Sequence, residues 1–347
     1  MRSAIYYRPH DIRIDDVSEP AAGPGQVKLR VAHNGVCGSD LHEYYSSETF
    51  VPVEPHPQTG VKAPVALGHE FSGTVVAVGE GVTTVADGDR VAVRPTYTCG
   101  ECPSCRAGAP NTCRVLAFHG LSGHGGGLSE YTVLPESMVF PLPDTVSLEL
   151  GALVEPMAVS YHAVELSGIQ PGQLAVIAGL GPIGVGLFFA LRAAGITDII
   201  ASDPSAERRA ILTGLGARNV IDPTATEVAV AARGATDGLG AHVVFDAAGV
   251  GEAIITGIGA LAPRGKVVVV GIHEQAMELN PVALLLGEAQ IVASLVYTDD
   301  DYRQVIESMA RGEITGAGWV DHAPLDDLLE VYGQLRRGER MKVLIDL

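Results

Sequence analysis

Two hydrophobic rhythms divide this chain. Up to about residue 150, apolar and polar positions alternate over short stretches rich in β-branched residues, at 5–14, 26–31, 73–78, 89–93 and 129–133, with turn-forming residues between them. A period of two turns one face of a strand to a core and the other to solvent, so this part reads as a mostly antiparallel β domain. Two of its connections are long: 45–64 is rich in proline, and 99–127 in cysteine and glycine. Connections beyond about 15 residues without regular structure usually serve a function or are held by something other than a core.

From residue 172 the rhythm changes. Continuous apolar runs at 174–178, 199–202, 243–246 and 267–270 alternate with helical patterns at 183–194 and 206–215. Strands buried on both faces have this character, which predicts a doubly wound parallel sheet with helices on each side. The tail carries a strand at 291–295, helices at 301–311 and 325–337, and a last strand at 342–346. One stretch, 174–191, holds 18 residues without a charge, close to the length of a membrane span. Four glycines and Pro182 within it argue for a buried strand, a tight turn and a buried helix instead. No repeat of about 20–50 residues is visible, so the fold class is α/β in two domains and not a solenoid.

Composition narrows the partners. The 347 residues suffice for two domains and a sizeable core. Lys+Arg 23 against Asp+Glu 41 leaves a net charge of −18, which repels phosphate backbones and anionic headgroups, so neither nucleic acid nor a membrane is an expected partner. With 47% hydrophobic residues and no low-complexity tract, the composition is that of a compact enzyme. The opening MRSAIYYRPHDIRIDD carries charges every few positions and no apolar signal core, so a cytoplasmic location is expected.

Four of the five cysteines, Cys99, Cys102, Cys105 and Cys113, form a C-x2-C-x2-C-x7-C pattern, while Cys37 stands apart. Thiolates at that spacing can converge tetrahedrally on Zn2+, and four sulfurs leave no open position for substrate. The pattern is read as a structural zinc that fixes a loop with no core of its own. Two disulfides or an iron–sulfur cluster are the rival readings. A reducing compartment disfavours the first, and the usual spacings of the second differ.

A second pattern, Gly179-Leu180-Gly181-Pro182-Ile183-Gly184, is a G-x-G-x-x-G between a predicted strand and a predicted helix. Glycines there permit a tight turn and close backbone approach, and the helix start offers free N–H groups to a pyrophosphate. Asp203 follows at the end of the next strand, 19 residues beyond Gly184, where a carboxylate can accept from an adenosine ribose. It would repel a 2′-phosphate, which favours NAD over NADP, although Arg208 and Arg209 are near enough in sequence to accommodate one.

A third constellation is scattered: Cys37-Gly38-Ser39-Asp40-Leu41-His42, then Gly68-His69-Glu70, then Val154-Glu155-Pro156. A lone cysteine is usually an apolar filler and a lone histidine a hydrogen-bonded structural residue. Jointly they contain a thiolate, an imidazole and carboxylates, the ligand types of a zinc that keeps one position for substrate.

With these parts in this order, the chain resembles the zinc-dependent medium-chain alcohol and polyol dehydrogenases over nearly its whole length. The resemblance implies a GroES-like catalytic domain at 1–155 with a zinc lobe at about 95–115, a Rossmann NAD-binding domain at 156–295, and a return to the catalytic domain over 296–347. It implies two zinc ions per chain, one in the lobe and one catalytic. Cys37 and His69 would hold the catalytic ion together with Glu155, at a position where many members have a second cysteine; Glu70 could also reach it. One thiolate, one carboxylate and one imidazole leave Zn2+ with the same formal charge as two thiolates and one imidazole. Two glutamates bound at once would make a poorer Lewis acid, so they exchange or one stays outside the coordination shell.

The segments FVPVEPHPQTGVKAP, LAFHGLSGHGGGLSEY and LVEPMAVSYHAV look like the branch of this family that interconverts butanediol and acetoin. That likeness implies hydride transfer between the carbinol carbon of a vicinal diol, or the corresponding hydroxyketone, and C4 of nicotinamide, with diacetyl also reduced. Gly179, Gly181, Pro182, Ile183, Gly184, Asp203 and Arg208 would contact the cofactor. Ser39 would take the substrate proton and pass it through the cofactor ribose to His42, whose ordinary pKa of about 6.5 suits a base. Asp40 would orient a ligand, and His56, His119 and His124 are candidates for the pocket. A polyol or threonine dehydrogenase on the same machinery, a zinc-free reductase of the superfamily and a non-catalytic nucleotide-binding protein are the alternatives. The apolar strand at 291–295 would be an open sheet edge, so a homodimer or homotetramer is expected.

Overall fold

The alternating stretch at 5–14 folds as two strands, not one. Arg2–Arg8 and Asp11–Asp16 pair antiparallel, and the chain reverses at Pro9 and His10, the latter with φ 61°. The period-two signal runs on through a tight turn because a turn of so few residues does not break it. The computed structural model describes residues 1–347, which form two compact units: Met1–Glu155 with Thr298–Leu347, and Pro156–Tyr297.

In the first unit the main sheet runs in the order Val139–Pro141, Arg90–Val93, Glu70–Val78, Gln26–Gly35, Lys342–Asp346 and Val320–Pro324, with Tyr131–Pro135 also paired to Gln26–Gly35. Every pair is antiparallel except the last two strands of that order, which run parallel. The ten-residue strand Gln26–Gly35 organises the unit. One edge pairs throughout with Glu70–Val78; the other is shared, Gln26 to Arg30 with Tyr131–Pro135 and His33 to Gly35 with Leu344 to Asp346. The sheet's inner side chains, among them Val27, Leu29, Val31, Phe71, Val75 and Leu134, form one core cluster, and Ala4, Tyr6, Leu67, Leu128, Tyr332, Val343 and Ile345 belong to another. Strand Val320–Pro324 had no sequence signal, because its residues are mostly exposed and its polar positions do not alternate.

The second unit holds a six-stranded parallel sheet in the order Asn219–Ile221, Ile199–Ser202, Ala175–Ala178, Ala241–Asp246, Leu261–Val269 and Gln290–Ala293. Strand order reverses between Ala175–Ala178 and Ala241–Asp246, and in such sheets the crevice at that switch point takes the ligand. Helices Pro182–Ala193, Ala206–Gly214, Val228–Gly234, Gly251–Ala260 and Val282–Gly287 connect the strands. Sequence periodicity missed Val228–Gly234, Gly251–Ala260 and the entry helix Val154–Ser167, because helices buried or alanine-rich on most sides carry little contrast between faces. The uncharged stretch at 174–191 is a strand, a turn and a helix, and no helix of the chain is long and apolar enough to cross a membrane.

Candidate metal centres and dinucleotide site

The end of strand Gln26–Gly35 leads directly into the first centre. Val36 N–H donates to Val343 O, and Cys37 then caps helix Gly38–Tyr45. Asp40 Oδ2 accepts from Cys37 N at 2.9 Å, which closes the first helical turn and holds the thiol-bearing residue in place. His69 and Glu70 stand at the start of the neighbouring strand, with Glu70 directly across from Gly35. The register therefore brings Cys37, His69 and Glu70 together, and one donor atom from each lies within 4.8 Å of the others. Glu155, the second residue of helix Val154–Ser167, is buried outside that trio, but its charge still acts on His69.

Two buried atoms here lack a hydrogen-bond partner, Asp40 Oδ1 and His69 Nδ1, and they face each other at 3.6 Å. Ser39 Oγ lies 3.1 Å from the other ring nitrogen, His69 Nε2. A cation held at Nε2 would leave the proton on Nδ1, facing the carboxylate, which is the usual outer partner of a metal-bound histidine. The donor set of thiolate, imidazole and carboxylate fits zinc. Burial disfavours the charged imidazole, yet Asp40, Cys37 and Glu155 together outweigh it and hold His69 well above the usual histidine range. Burial is also the main reason why the Asp40 carboxyl lies above its ordinary value. The acidic groups gathered around the thiol in this dry site would favour a divalent cation.

Lys342 is the residue that sequence reasoning missed. Its buried ammonium pairs with Glu70 Oε2 and donates to Val36 O at 3.0 Å. Burial works against its charge, but Glu70, Cys37 and Glu155 raise it above the ordinary lysine value. Gly35 makes room for the pair: a Cβ there would come within 2.3 Å of Glu70 Oε2 and 3.0 Å of Lys342 Cε. The only signal was a lysine opening a strand with an apolar centre, which reads equally well as a solvated end.

In the lobe the four cysteines do converge. Sγ separations are 3.5 Å for Cys102 and Cys105, 3.6 Å for Cys99 and Cys113, and 4.0 Å for Cys99 and Cys105. Four sulfurs at about 2.3 Å from a tetrahedral zinc would sit about 3.8 Å apart. No pair is at bonding distance, and all five cysteines are free thiols. Backbone N–H groups of Arg114 and Cys105 pull the Cys102 thiol down to about 6, whereas burial and its sulfur neighbours push Cys105 up to about 12.

The glycine-rich turn opens helix Pro182–Ala193, with Gly181 as its cap and Pro182 at the first position. Gly179 has φ 95°, and a Cβ on Gly184 would come within 2.0 Å of Gly179 O, so both are required by the turn. Gly181 is different, because a Cβ there would point into open space. It borders a cavity of about 780 Å³ lined by Gly179, Asp203, Arg208, Thr224, Ala247 and Val250, among others. That volume suits a cofactor. Asp203 accepts from Leu180 N and Ser205 N, each at 2.8 Å, with Arg208 Nη1 at 3.7 Å from its carboxylate. Arg209 turns elsewhere, to Asp203 O, Pro204 O and Asp222. Fully buried Asp246, also missed, accepts from Ala248 N and Gly249 N and meets His273 Nε2 at 2.6 Å, which braces the loop beside the cavity.

The remaining candidates separate clearly. His42 lies one helical turn beyond Ser39, half-buried, with its ring 5.2 Å from that of Phe50. His119 is fully buried between Tyr97 Oη at 3.0 Å and Thr132 Oγ1 at 2.7 Å, and burial lowers it to about 3, so it is a neutral core residue and not part of a pocket. His124 Nε2 bonds Thr59 O at 3.0 Å, and His56 Nδ1 accepts from Gln58 N, so both serve the loops that carry them.

Residues 23–144 match the family model for the alcohol dehydrogenase GroES-like domain, and residues 182–311 that for zinc-binding dehydrogenase. The chain is 40% identical over 350 aligned residues to (R,R)-butanediol dehydrogenase of Bacillus subtilis (strain 168), covering 99% of each. It superposes on the crystal structure of 2R,3R-butanediol dehydrogenase from Bacillus subtilis with a TM-score of 0.93 at 39% identity, over 100% of this chain and 99% of the other. A Sinorhizobium meliloti 1021 protein solved bound to NADP follows at a TM-score of 0.90 and 31% identity, over 100% and 99%. Together with the two folds and their metal-ligand clusters, these matches establish that the chain belongs to the zinc-binding medium-chain dehydrogenase family, with a GroES-like unit and a parallel dinucleotide-fold unit.

Proposed function

We propose that the protein is an NAD-dependent dehydrogenase with two zinc ions per chain that interconverts butanediol and acetoin and reduces diacetyl. The observation that carries this reading is the Cys37, His69 and Glu70 cluster, with Ser39 Oγ on the histidine and Lys342 on the glutamate. The likeness to the Bacillus subtilis butanediol dehydrogenase over 99% of both chains supports the substrate.

Cys37, His69 and Glu155 would hold the catalytic zinc, and Cys99, Cys102, Cys105 and Cys113 the lobe zinc. Glu70 is already matched by Lys342, so it serves to position the centre, and a thiolate, Glu155 and a neutral imidazole would bring Zn2+ to formal neutrality. When bound, zinc would lower the pKa of the substrate hydroxyl and polarise its carbonyl, and nicotinamide would exchange the hydride. The chain's own residues would handle the proton. Ser39 Oγ would accept it from the reacting hydroxyl while its own proton moves on, and His42, one turn on in the same helix, would be the outer base that takes up the relayed proton and releases it to solvent. With a cation on Nε2, the proton on His69 Nδ1 would face Asp40 Oδ1, 3.6 Å away, which would orient the ring and favour that tautomer. Asp203 selects NAD over NADP by charge.

The chain is also inferred to self-associate. Helix Val282–Gly287 exposes Leu285 (74%) and Leu286 (82%) beside Gln290–Ala293, the edge strand of the parallel sheet, and a second copy would cover both.

The test compares kcat/KM for NADH-dependent reduction of acetoin and diacetyl with that for NAD-dependent oxidation of (R,R)-, meso- and (S,S)-butanediol, sorbitol and threonine, repeated on Cys37→Ala. Butanediol and acetoin should dominate, and Cys37→Ala should abolish turnover. Dominance of sorbitol or threonine would keep the chemistry and overturn the substrate.

A further inference from the structure

Three groups of side chains in this structure bring three or more potential metal-ligand atoms within 4.8 Å of one another. Two are the centres described above. The third, His33, His322 and Asp346, shares no residue with them.

Its geometry follows from sheet register. His33 lies directly opposite Asp346 across the antiparallel pair Gln26–Gly35 and Lys342–Asp346, and His322 comes from the parallel neighbour Val320–Pro324. Both imidazoles present the same atom to the same oxygen: His33 Nδ1 is 2.8 Å and His322 Nδ1 is 2.9 Å from Asp346 Oδ1. The rings meet edge-on, with centroids 5.5 Å apart. Donors bound tetrahedrally to one ion at about 2.0–2.2 Å stand about 3.3–3.6 Å apart, so an ion would enter as the two rings draw back from Asp346 Oδ1, which they now meet at hydrogen-bond distance.

A further carboxylate stands on the far side of the cluster: Glu149 Oε1 lies 3.9 Å from His322 Nε2, near the ring nitrogen that would keep its proton. The side chains are 24–47% exposed, so an ion and completing waters have access. Two imidazoles and a carboxylate suit borderline divalent ions such as Zn2+, Co2+ or Ni2+ over the hard ions Mg2+ and Ca2+, which prefer all-oxygen sites.

We infer that His33, His322 and Asp346 form a third metal site, open to solvent, that binds a divalent transition ion and ties together strands from both ends of the chain. The ion would bind only the folded sheet, so it would stabilise the returning strands against strand Gln26–Gly35.

The experiment uses the holoenzyme, with zinc as the probe. Wild type, His322→Gln and Asp346→Asn are dialysed to equilibrium against micromolar free Zn2+; zinc per chain is then measured by mass spectrometry, and melting is recorded with and without the added ion. The wild type should carry one more zinc per chain than either variant and melt several degrees higher with added zinc, whereas the variants should keep both their activity and their more tightly held zinc. Equal zinc content and equal melting shifts in the three proteins would overturn the site. Asp346→Asn keeps a hydrogen-bond acceptor for both rings, and retained activity in both variants would separate loss of the third ion from a broken fold. A site equally filled by Mg2+ would overturn the assignment of ligand class.

Discussion

Lys342 and Glu70, 272 positions apart in sequence, form an ion pair in which both side chains are fully buried. Glu70 follows His69 and faces Cys37, so the counter-charge for one wall of the metal centre arrives on a strand from the far end of the chain. The return of the chain to the first unit thus supplies electrostatics as well as sheet edge.

Removing one partner of this pair should be worse than removing both. Lys342→Met leaves a buried carboxylate without compensation and should destabilise the first unit by about 3–5 kcal/mol. Lys342→Met combined with Glu70→Gln should recover part of that loss. Urea unfolding of the two single variants and the double variant measures the coupling, and additive losses would mean that the pair is not energetically linked.

Asp203 should govern cofactor choice by charge. Asp203→Asn keeps an acceptor for Leu180 N or Ser205 N but removes the repulsion toward a 2′-phosphate, with Arg208 already 3.7 Å away. The ratio of kcat/KM for NADPH to that for NADH should rise about tenfold, equivalent to about 1.4 kcal/mol. An unchanged ratio would place the discrimination elsewhere in the cavity.

The two proposed zinc sites should differ in what their loss does. Cys113→Ser opens the lobe cluster, whose loop has only short helices Pro103–Arg106 and Pro110–Thr112 to hold it. A loss of about 3 kcal/mol would lower Tm by about 6–12 °C in a unit of this size. Cys37→Ala should also release one zinc, but at the expense of turnover more than of Tm. Metal analysis with calorimetry on both variants separates the roles.

His119 should make the fold acid-sensitive. Burial holds it at about 3, against 6.5 for the free side chain, so between those values the unfolded chain binds the proton and the folded chain does not. Stability is therefore full above about pH 6.5 and falls as pH drops toward 3, by up to about 1.4 kcal/mol per unit. His119→Gln, which can still bond Tyr97 and Thr132, should flatten that slope between pH 6 and about 4 relative to wild type. Parallel slopes in denaturant titrations would show that another group carries the acid response.

Both fold classes were legible in the sequence because each core writes a local period: alternation for the half-buried strands of the first unit, and apolar runs for the doubly covered strands of the second. The lobe cysteines and the glycine-rich turn were legible for a related reason, since their spacing within about one loop or turn is itself the chemistry. His119 was misread as a pocket candidate because nothing in the local pattern HGLSGHGGG distinguishes a ring sealed between Tyr97 and Thr132 from one in solvent.

What the sequence determined by itself was therefore whatever rests on near neighbours: the strands and helices whose faces contrast, the lobe cluster, the dinucleotide turn, and the residue types of the metal centre. Only the tertiary structure decided which distant groups meet. Pairing Gln26–Gly35 with Glu70–Val78 on one edge and Lys342–Asp346 on the other sets His69 beside Cys37, matches Glu70 with Lys342, and joins His33 to Asp346. The physical reason is register: one residue of slip would turn every side chain to the opposite face, and the register is set by packing of the whole sheet, which no local stretch contains.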